Sequence, residues 1–247
     1  MGQPSLSLRS LREREAATEC RDGAPQRTKS ATRGRGRGTG PGGGQNGVVS
    51  YQPALWTDPA TDHRSRIVAN SADRSAWLKA RSGGVTATDV ARLSSVRALQ
   101  VVAEEKLHGS SFTGNAYTDH GLAREPEIAR WVRTVHGIEP SLDLYHAESN
   151  ERHLATPDGI RAANGHLELA EIKTTTKAWR SIPRSYLRQV WWQQYVLGAE
   201  RTLVVWEQHD NFVPIGPEPC VQWVDRDENE IHRLVGLADQ LLGLLRR

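Results

Sequence analysis

The chain has only two cysteines, one methionine and five lysines in 247 residues. Cys20 and Cys220 are too few for a disulfide framework, a CxxC metal knuckle or a four-thiolate iron–sulfur site, so chemistry built on sulfur ligation is excluded. No run approaches 18 consecutive apolar residues, which argues against a membrane-spanning helix. Arg9, Arg12, Glu13, Arg14 and Glu15 fall where a secretory signal needs an unbroken apolar stretch, so a cytoplasmic protein is expected. The nine histidines show no HxxxH-type zinc spacing and read as structural or surface groups.

What is present is unevenly spread. Residues 1–47 carry nine Lys/Arg against four Asp/Glu, which leaves the remaining 200 residues slightly acidic at −2 although the whole chain is +3. From Ala31 to Gly47 the sequence ATRGRGRGTGPGGGQNG holds eight glycines and no apolar side chain larger than alanine, too little to offset the entropy of ordering it. Residues 1–50 therefore read as a disordered Gly/Arg-rich tail, and 51–247 as one globular domain. The arginines of the tail suit either a weak electrostatic arm for nucleic acid or a solvated extension. Because Met1 is the only methionine, a true start at Val48 or Val49 from an alternative codon also remains open.

Beyond Tyr51 periodic patterns begin. Helices are expected over Ser71–Arg81, from about Thr88 with Thr86 or Thr88 as cap, over 96–107, over 122–135 with Pro126 in its first turn, over 184–197 and over 227–246. Strands are expected near 138–147, 152–156, 159–163, 166–174, 201–207 and 219–224. Helices flanking a mixed sheet make this an α/β or α+β domain.

The chemically informative segment is LATPDGIRAANGHLELAEIKTT, Leu154 to Thr175. Asn164-Gly165 between strand-forming runs signals a two-residue hairpin turn, because both central positions must accept positive φ. If Ala163 faces His166, the same register puts Asp158 opposite Glu171, with Cβ atoms about 4.5–5.5 Å apart, unless Pro157 or Gly159 introduces a bulge. Two facing carboxylates repel unless one is protonated or a cation lies between them, and two oxygen ligands on adjacent strands suit magnesium or manganese. Lys173 lies two residues past Glu171 on the same strand face. In a chain whose other cations are mostly arginine, a lysine here suggests an ammonium whose pKa can be tuned toward handling a water nucleophile. An isolated Glu-x-Lys and an isolated Asp-Gly would otherwise read as a solvent-facing strand and a turn.

Pro157-Asp158, with Glu171-Ile172-Lys173 thirteen positions on, resembles the PD-(D/E)xK nuclease signature. The surrounding motifs resemble the YqaJ-type viral recombinase and lambda exonuclease family within it. They are Trp77, Arg81 and the Gly84-Val85-Thr86-Ala87-Thr88 run, Gly121-x3-Glu125, Ala155-Thr156-Pro157-Asp158-Gly159 and Tyr186-x2-Gln189. The resemblance spans about Trp77 to Glu207 and departs from the family in having threonine for a usual serine at Thr88.

It implies a restriction-endonuclease-like core and a metal-dependent DNA exonuclease, 5′ to 3′ on linear duplex ends, in phage-type recombination or repair. By the same resemblance Asp158, Glu171 and the carbonyl of Ile172 hold Mg2+, with Mn2+ able to substitute, and Glu125 can add a ligand. Lys173 and Gln189 assist catalysis, while Arg81, Thr86 and Thr88 take up a 5′-phosphate. The physics of that last group agrees, since a glycine-rich lead into a helix offers free amides to an anion and Arg81 a bidentate partner. Gln189 shares a helical face with Tyr186 and Gln193 and can equally be a half-buried polar neighbour. Trp191 and Trp192 are expected in the core, partly at a subunit contact.

The implied partners are DNA ends, a single-strand annealing or recombinase protein, and further copies of the chain in a ring trimer. The competing functions are a restriction or RecB-like endonuclease on the same core, and a catalytically silent DNA-binding module.

Overall fold

The structure is a computed structural model that describes residues 63–109, 114–163 and 165–246. The basic tail, the alternative start sites and Asn164 lie outside the described residues. Among those described, no helix is long and apolar enough to cross a membrane.

The fold is mixed α/β, as the patterns imply, and its strands divide between two sheets. The smaller has the order β1-β4-β5-β2, from Ile67–Asn70, Asp143–Ala147, Asn150–Ala155 and Val85–Thr86. The larger runs β10-β8-β7-β6-β3, from Cys220–Asp225, Arg201–Asp210, His166–Thr175, Gly159–Ala163 and Glu139–Pro140, with β9 (Val213–Pro214) paired to β8. β7 and β8 are parallel, and the crossover between them is a helix, as parallel neighbours require.

Six α-helices among the described residues cover these sheets: α1 (Arg74–Ser82), α2 (Ala87–Arg92), α3 (Val96–His108), α4 (Ala116–His136), α5 (Arg184–Leu197) and α6 (Glu228–Leu244). Polar caps start most of them. Asp73 accepts from Ala76 N, Ser95 from Ala98 N, and Thr86 forms a reciprocal capping box with Asp89. Of the two candidate caps before α2, Thr86 takes the role. The helix expected over 122–135 instead begins at Ala116, capped by Asn115, so Pro126 stands inside it rather than in the first turn. Proline there removes one i to i−4 bond, and the bond lost is to the carbonyl of Leu122, a residue 65% exposed whose surroundings let water replace it.

β7 divides the core because its side chains alternate. Leu167 and Leu169 join the larger cluster, with Val190, Trp192, Val196 and Leu197 of α5 and Leu234, Ala238 and Leu241 of α6. Ala170 and Ile172 join a second cluster with Ile128, Ala129 and Val132 of α4 and with Leu203 and Val205 of β8. Trp191 and Trp192 are both core residues, and their indole N–H groups donate to the carbonyls of Asp225 and Leu154. The end of β7 is thus clasped between α5 on one face and α4 on the other.

Glycine makes two of these approaches possible. A Cβ on Gly84 would stand 2.5 Å from the Arg152 carbonyl oxygen and 2.6 Å from a Leu154 methyl, so only glycine lets β2 lie along β5. On α4, a Cβ at Gly121 would meet the Thr174 hydroxyl at 3.3 Å, which marks how closely that helix crosses β7.

Candidate active site

The β6–β7 hairpin has the register expected of it. Ala163 pairs with His166 and the ladder runs without a shift to Gly159 opposite Ala170. Gly165 has φ +80°, the left-handed value that the turn requires. Asp158 stands one residue beyond the ladder and is still held to it, its N–H donating to the Ala170 carbonyl at 3.1 Å. Its side chain bends toward the next residue of β7, and Oδ2 accepts the Ile172 N–H at 2.6 Å.

Glu171, only 1% exposed, is the hub. Its Oε1 accepts from Lys173 Nζ and from Gln189 Nε2, and its Oε2 accepts from Gln193 Nε2 at 2.6 Å. Gln193 also reaches the Thr156 carbonyl at 3.4 Å, which ties α5 to the strand leading into Asp158. The Lys173 ammonium lies 5.3 Å from the centre of the Tyr186 ring. Gln189 is thus brought to the carboxylate centre, as a donor to Glu171. Tyr186, Gln189 and Gln193, at i, i+3 and i+7, form the face of α5 turned to β7.

Glu125 enters from α4, close enough for its charge to act on both Glu171 and Lys173. Its neighbour Arg124 anchors the helix, donating through Nε and Nη2 to the two carboxylate oxygens of Glu207 on β8 at 2.8 and 2.7 Å. A bidentate pair of this kind fixes direction as well as distance.

The electrostatics follow from three carboxylates around one ammonium. Burial pushes the Asp158 carboxyl well up, and Glu171 adds to the rise, while Lys173 and the Ile172 N–H oppose it. Burial likewise raises Glu125, with Lys173 opposing and Glu171 reinforcing. Burial alone would lower Lys173, but Glu171 and Asp158 outweigh it and hold the amine protonated.

Among the described residues no group of three His, Cys, Asp or Glu side chains is gathered as a metal site. Asp158 is turned to a backbone amide and Glu171 to three side-chain donors. The chemistry of the donors nonetheless fits a hard divalent cation, because the groups that meet here are all oxygen donors and their carboxylates outnumber the single ammonium. Asp158, Glu171 and the Ile172 carbonyl would hold it, with Glu125 within reach.

The residues expected to take a terminal phosphate lie elsewhere, where α1 meets α2. Thr86 is 2% exposed, and its hydroxyl both donates to Asp89 Oδ2 at 2.8 Å and accepts from Asp89 N. Thr88 is exposed. Arg81 lies with Cζ 4.1 Å from the centre of the Trp77 ring, which Arg74 also covers at 4.9 Å. Burial lowers the Arg81 pKa, Asp89 raises it and Arg74 lowers it further, so its charged neighbours are these two rather than the carboxylate centre. No carboxylate pairs with its guanidinium among the described residues. Arg81 and Thr88 are open to an anion, whereas the Thr86 hydroxyl is already committed to its capping box.

Two contributors are not assigned to the site from the sequence: Gln193, named there only as a neighbour on the face of Gln189, and the Arg124–Glu207 brace. The first carried a usable signal, its spacing from Gln189. The second carried none, since 83 positions separate its members.

Comparison with known proteins bears on the fold and the family. The fold is similar to that of the alkaline exonuclease LHK-Exo of Laribacter hongkongensis, with a TM-score of 0.56 at 22% identity over 70% of this chain and 92% of that one. The same exonuclease in complex with dAMP gives 0.55, also at 22% identity over 70% and 92%. A phage-related exonuclease of Haemophilus somnus 129PT gives 0.52 at 12% identity over 66% and 93%. A comparison with curated proteins finds no match. Residues 76–200 match the YqaJ-like viral recombinase domain, a span that opens beside Trp77, holds the hairpin and α5, and closes at the start of β8. The chain belongs to the YqaJ-like viral recombinase domain family.

Proposed function

We propose that the protein is a divalent-cation-dependent deoxyribonuclease that digests linear duplex DNA from its ends, 5′ to 3′, in phage-type recombination or repair. The observation that carries this reading is the meeting at Glu171 of Lys173, Gln189 and Gln193, beside Asp158 and the Ile172 backbone. Membership of the recombinase family and a fold shared with two exonucleases support it.

Magnesium or manganese, when bound, supplies polarisation of the scissile phosphate and a more acidic water. Asp158, Glu171 and the Ile172 carbonyl would hold it, and Glu125 would stand in reserve. The Lys173 ammonium offsets charge that develops on the phosphate oxygens and orients the attacking water. Gln189 and Gln193 fix both oxygens of Glu171, so that the carboxylate keeps one orientation while the reaction proceeds. Arg81 and Thr88 grip the 5′-terminal phosphate, and that grip is what selects an end over an internal bond. The partners in this scheme are DNA ends, an annealing or strand-exchange protein that takes the exposed 3′ strand, and further copies of the chain in a ring around the duplex. The setting is the cytoplasm of a bacterial or phage-infected cell.

The test is to incubate the purified chain with magnesium and three duplexes: 5′-phosphorylated linear, 5′-hydroxyl linear and closed circular. The phosphorylated ends should be digested fastest, circles should survive, and EDTA should stop the reaction. Circles cut as fast as linear DNA would turn the reading to an endonuclease, and no cleavage of any substrate would leave a DNA-binding module.

A further inference from the structure

Beside the carboxylate site lies a cavity of about 350 Å³ that the hydrolytic step does not use. It opens at the end of β7, where Thr174, Thr175, Thr176 and Lys177 follow the catalytic lysine. Trp179 and Tyr186 form an aromatic wall, their ring centres 5.2 Å apart, and Trp179 is itself backed by a stacked Trp206 at 5.3 Å. This wall adjoins the chemistry, since the Tyr186 ring is the one that carries the Lys173 ammonium. A single side chain therefore separates the cavity from the catalytic charge.

The remaining lining is polar and positive. Pro183 starts α5 without a side-chain cap, and Pro183 and Ser185 border the cavity, so the free first-turn amides of a 14-residue helix face this region. Lys177 is exposed and has no carboxylate partner among the described residues. His209, at the far side, is 2% exposed, and its buried Nδ1 has no hydrogen-bond partner among the described residues. The volume falls at the lower end of the range typical of small-molecule sites, roughly 300–1,000 Å³.

We infer that this cavity receives one nucleotide unit of the substrate strand next to the cleaved bond. Its base stacks on Trp179 and Tyr186, its phosphate lies between Lys177 and the start of α5, and the threonine run meets its sugar. Stacking tolerates any base, because every base offers a π face. The site therefore contributes affinity without sequence preference. The inference rests on the nuclease reading for its substrate, but its test does not.

Thymidine 5′-monophosphate and deoxyribose 5-phosphate differ only by the base, and ligand-observed NMR can measure the binding of each to the full chain. Wild type should bind the nucleotide about tenfold more tightly than the sugar phosphate. Trp179→Ala should erase that difference and leave sugar-phosphate binding unchanged. Lys177→Ala should weaken both probes by about threefold to tenfold. Trp179 packs against core residues, so its variant is read only if its melting temperature stays close to wild type. The exposed Lys177 variant stands as the decisive one otherwise. Equal binding of the two probes by wild type, no binding of either, or an unaltered Lys177→Ala overturns the inference. DNA digestion is scored on the same preparations. A protein that cleaves DNA but ignores the base loses only the cavity, whereas one that binds the nucleotide through Trp179 but cleaves nothing loses only the nuclease reading.

Discussion

At Asp158, charge and hydrogen bonding pull in opposite directions. The Ile172 N–H rewards an acceptor at this position whether or not it is charged, while Glu171 and Glu125 penalise only the charge. Asp158→Asn keeps an acceptor and removes the repulsion. It should therefore raise the melting temperature in EDTA while abolishing cleavage with magnesium, and a fall in the metal-free melt would speak against the repulsion. Gln193 poses a different case, since it is 0% exposed and touches no expected substrate. Gln193→Leu keeps the volume and deletes the bond to Glu171 Oε2. A positioning role predicts kcat reduced about 10- to 100-fold with KM little changed, read in steady-state digestion of end-labelled duplex.

Among the elements, β7 is the one on which most depends. Upstream of the site its Glu168, 6% exposed, joins three strands: Arg161 of β6 donates to one carboxylate oxygen, and Arg201 of β8 to the other at 2.8 Å. Burial pushes this carboxyl up, but the two guanidiniums prevail and hold it below its usual range. A depressed carboxyl stabilises the fold fully above the unfolded pKa, about 4.3, and ceases to do so as pH falls through the lower folded value. Glu168→Gln should thus lower stability by about 1–3 kcal/mol at neutral pH. That deficit should shrink in acid, where the wild type loses the same contribution, as urea melts from pH 7 down to pH 3 would register. A constant deficit would place the effect in packing instead.

How legible each element is depends on how local its cause is. The hairpin announces itself because Asn-Gly chemistry and strand alternation sit within ten positions, and residue order alone thereby brings Asp158, Glu171 and Lys173 into one site. α5 is equally clear in its extent, although Val190, Trp191, Trp192, Gln193 and Gln194 are buried in succession, so the helix is enclosed rather than striped. The first turns of α4 are not, because no residue of 116–127 is fully buried and Gly121 and Pro126 both argue against a helix. β2 is two residues long and exists only because it pairs in parallel with β5, a contact that no local pattern encodes. The partition into two sheets is hidden for the same reason.

For the whole molecule the question is how two sites, one of carboxylates and one of cations, act on a single strand of DNA. Arg81 and Thr88 sit where α1 meets α2, and Lys173 at the end of β7, so under the proposed function the polarity of digestion would depend on both being engaged at once. Arg81→Ala should slow digestion of 5′-phosphorylated ends by about 10- to 100-fold, equivalent to roughly 1.5–3 kcal/mol for a charge-assisted contact. On 5′-hydroxyl ends, which lack the terminal phosphate, it should matter little. Wild type and variant on both substrates form a cycle that isolates the coupling, and equal losses on the two ends would make Arg81 a general backbone contact.

A single amide reports on the whole centre. The N–H of Ile172 gives its proton to the side chain of Asp158 rather than to a neighbouring strand. Within a strand that is otherwise paired to β6 and β8, this makes a single resonance in a nitrogen–proton correlation spectrum an indicator of what that carboxylate is doing. A short bond to a carboxylate oxygen holds the proton downfield and shields it from exchange with solvent. Any cation drawing on the same oxygen competes for its electron density, so the signal should move upfield as the cation is titrated in. A spectroscopist could then follow loading of the centre, without substrate and without turnover, from one backbone proton.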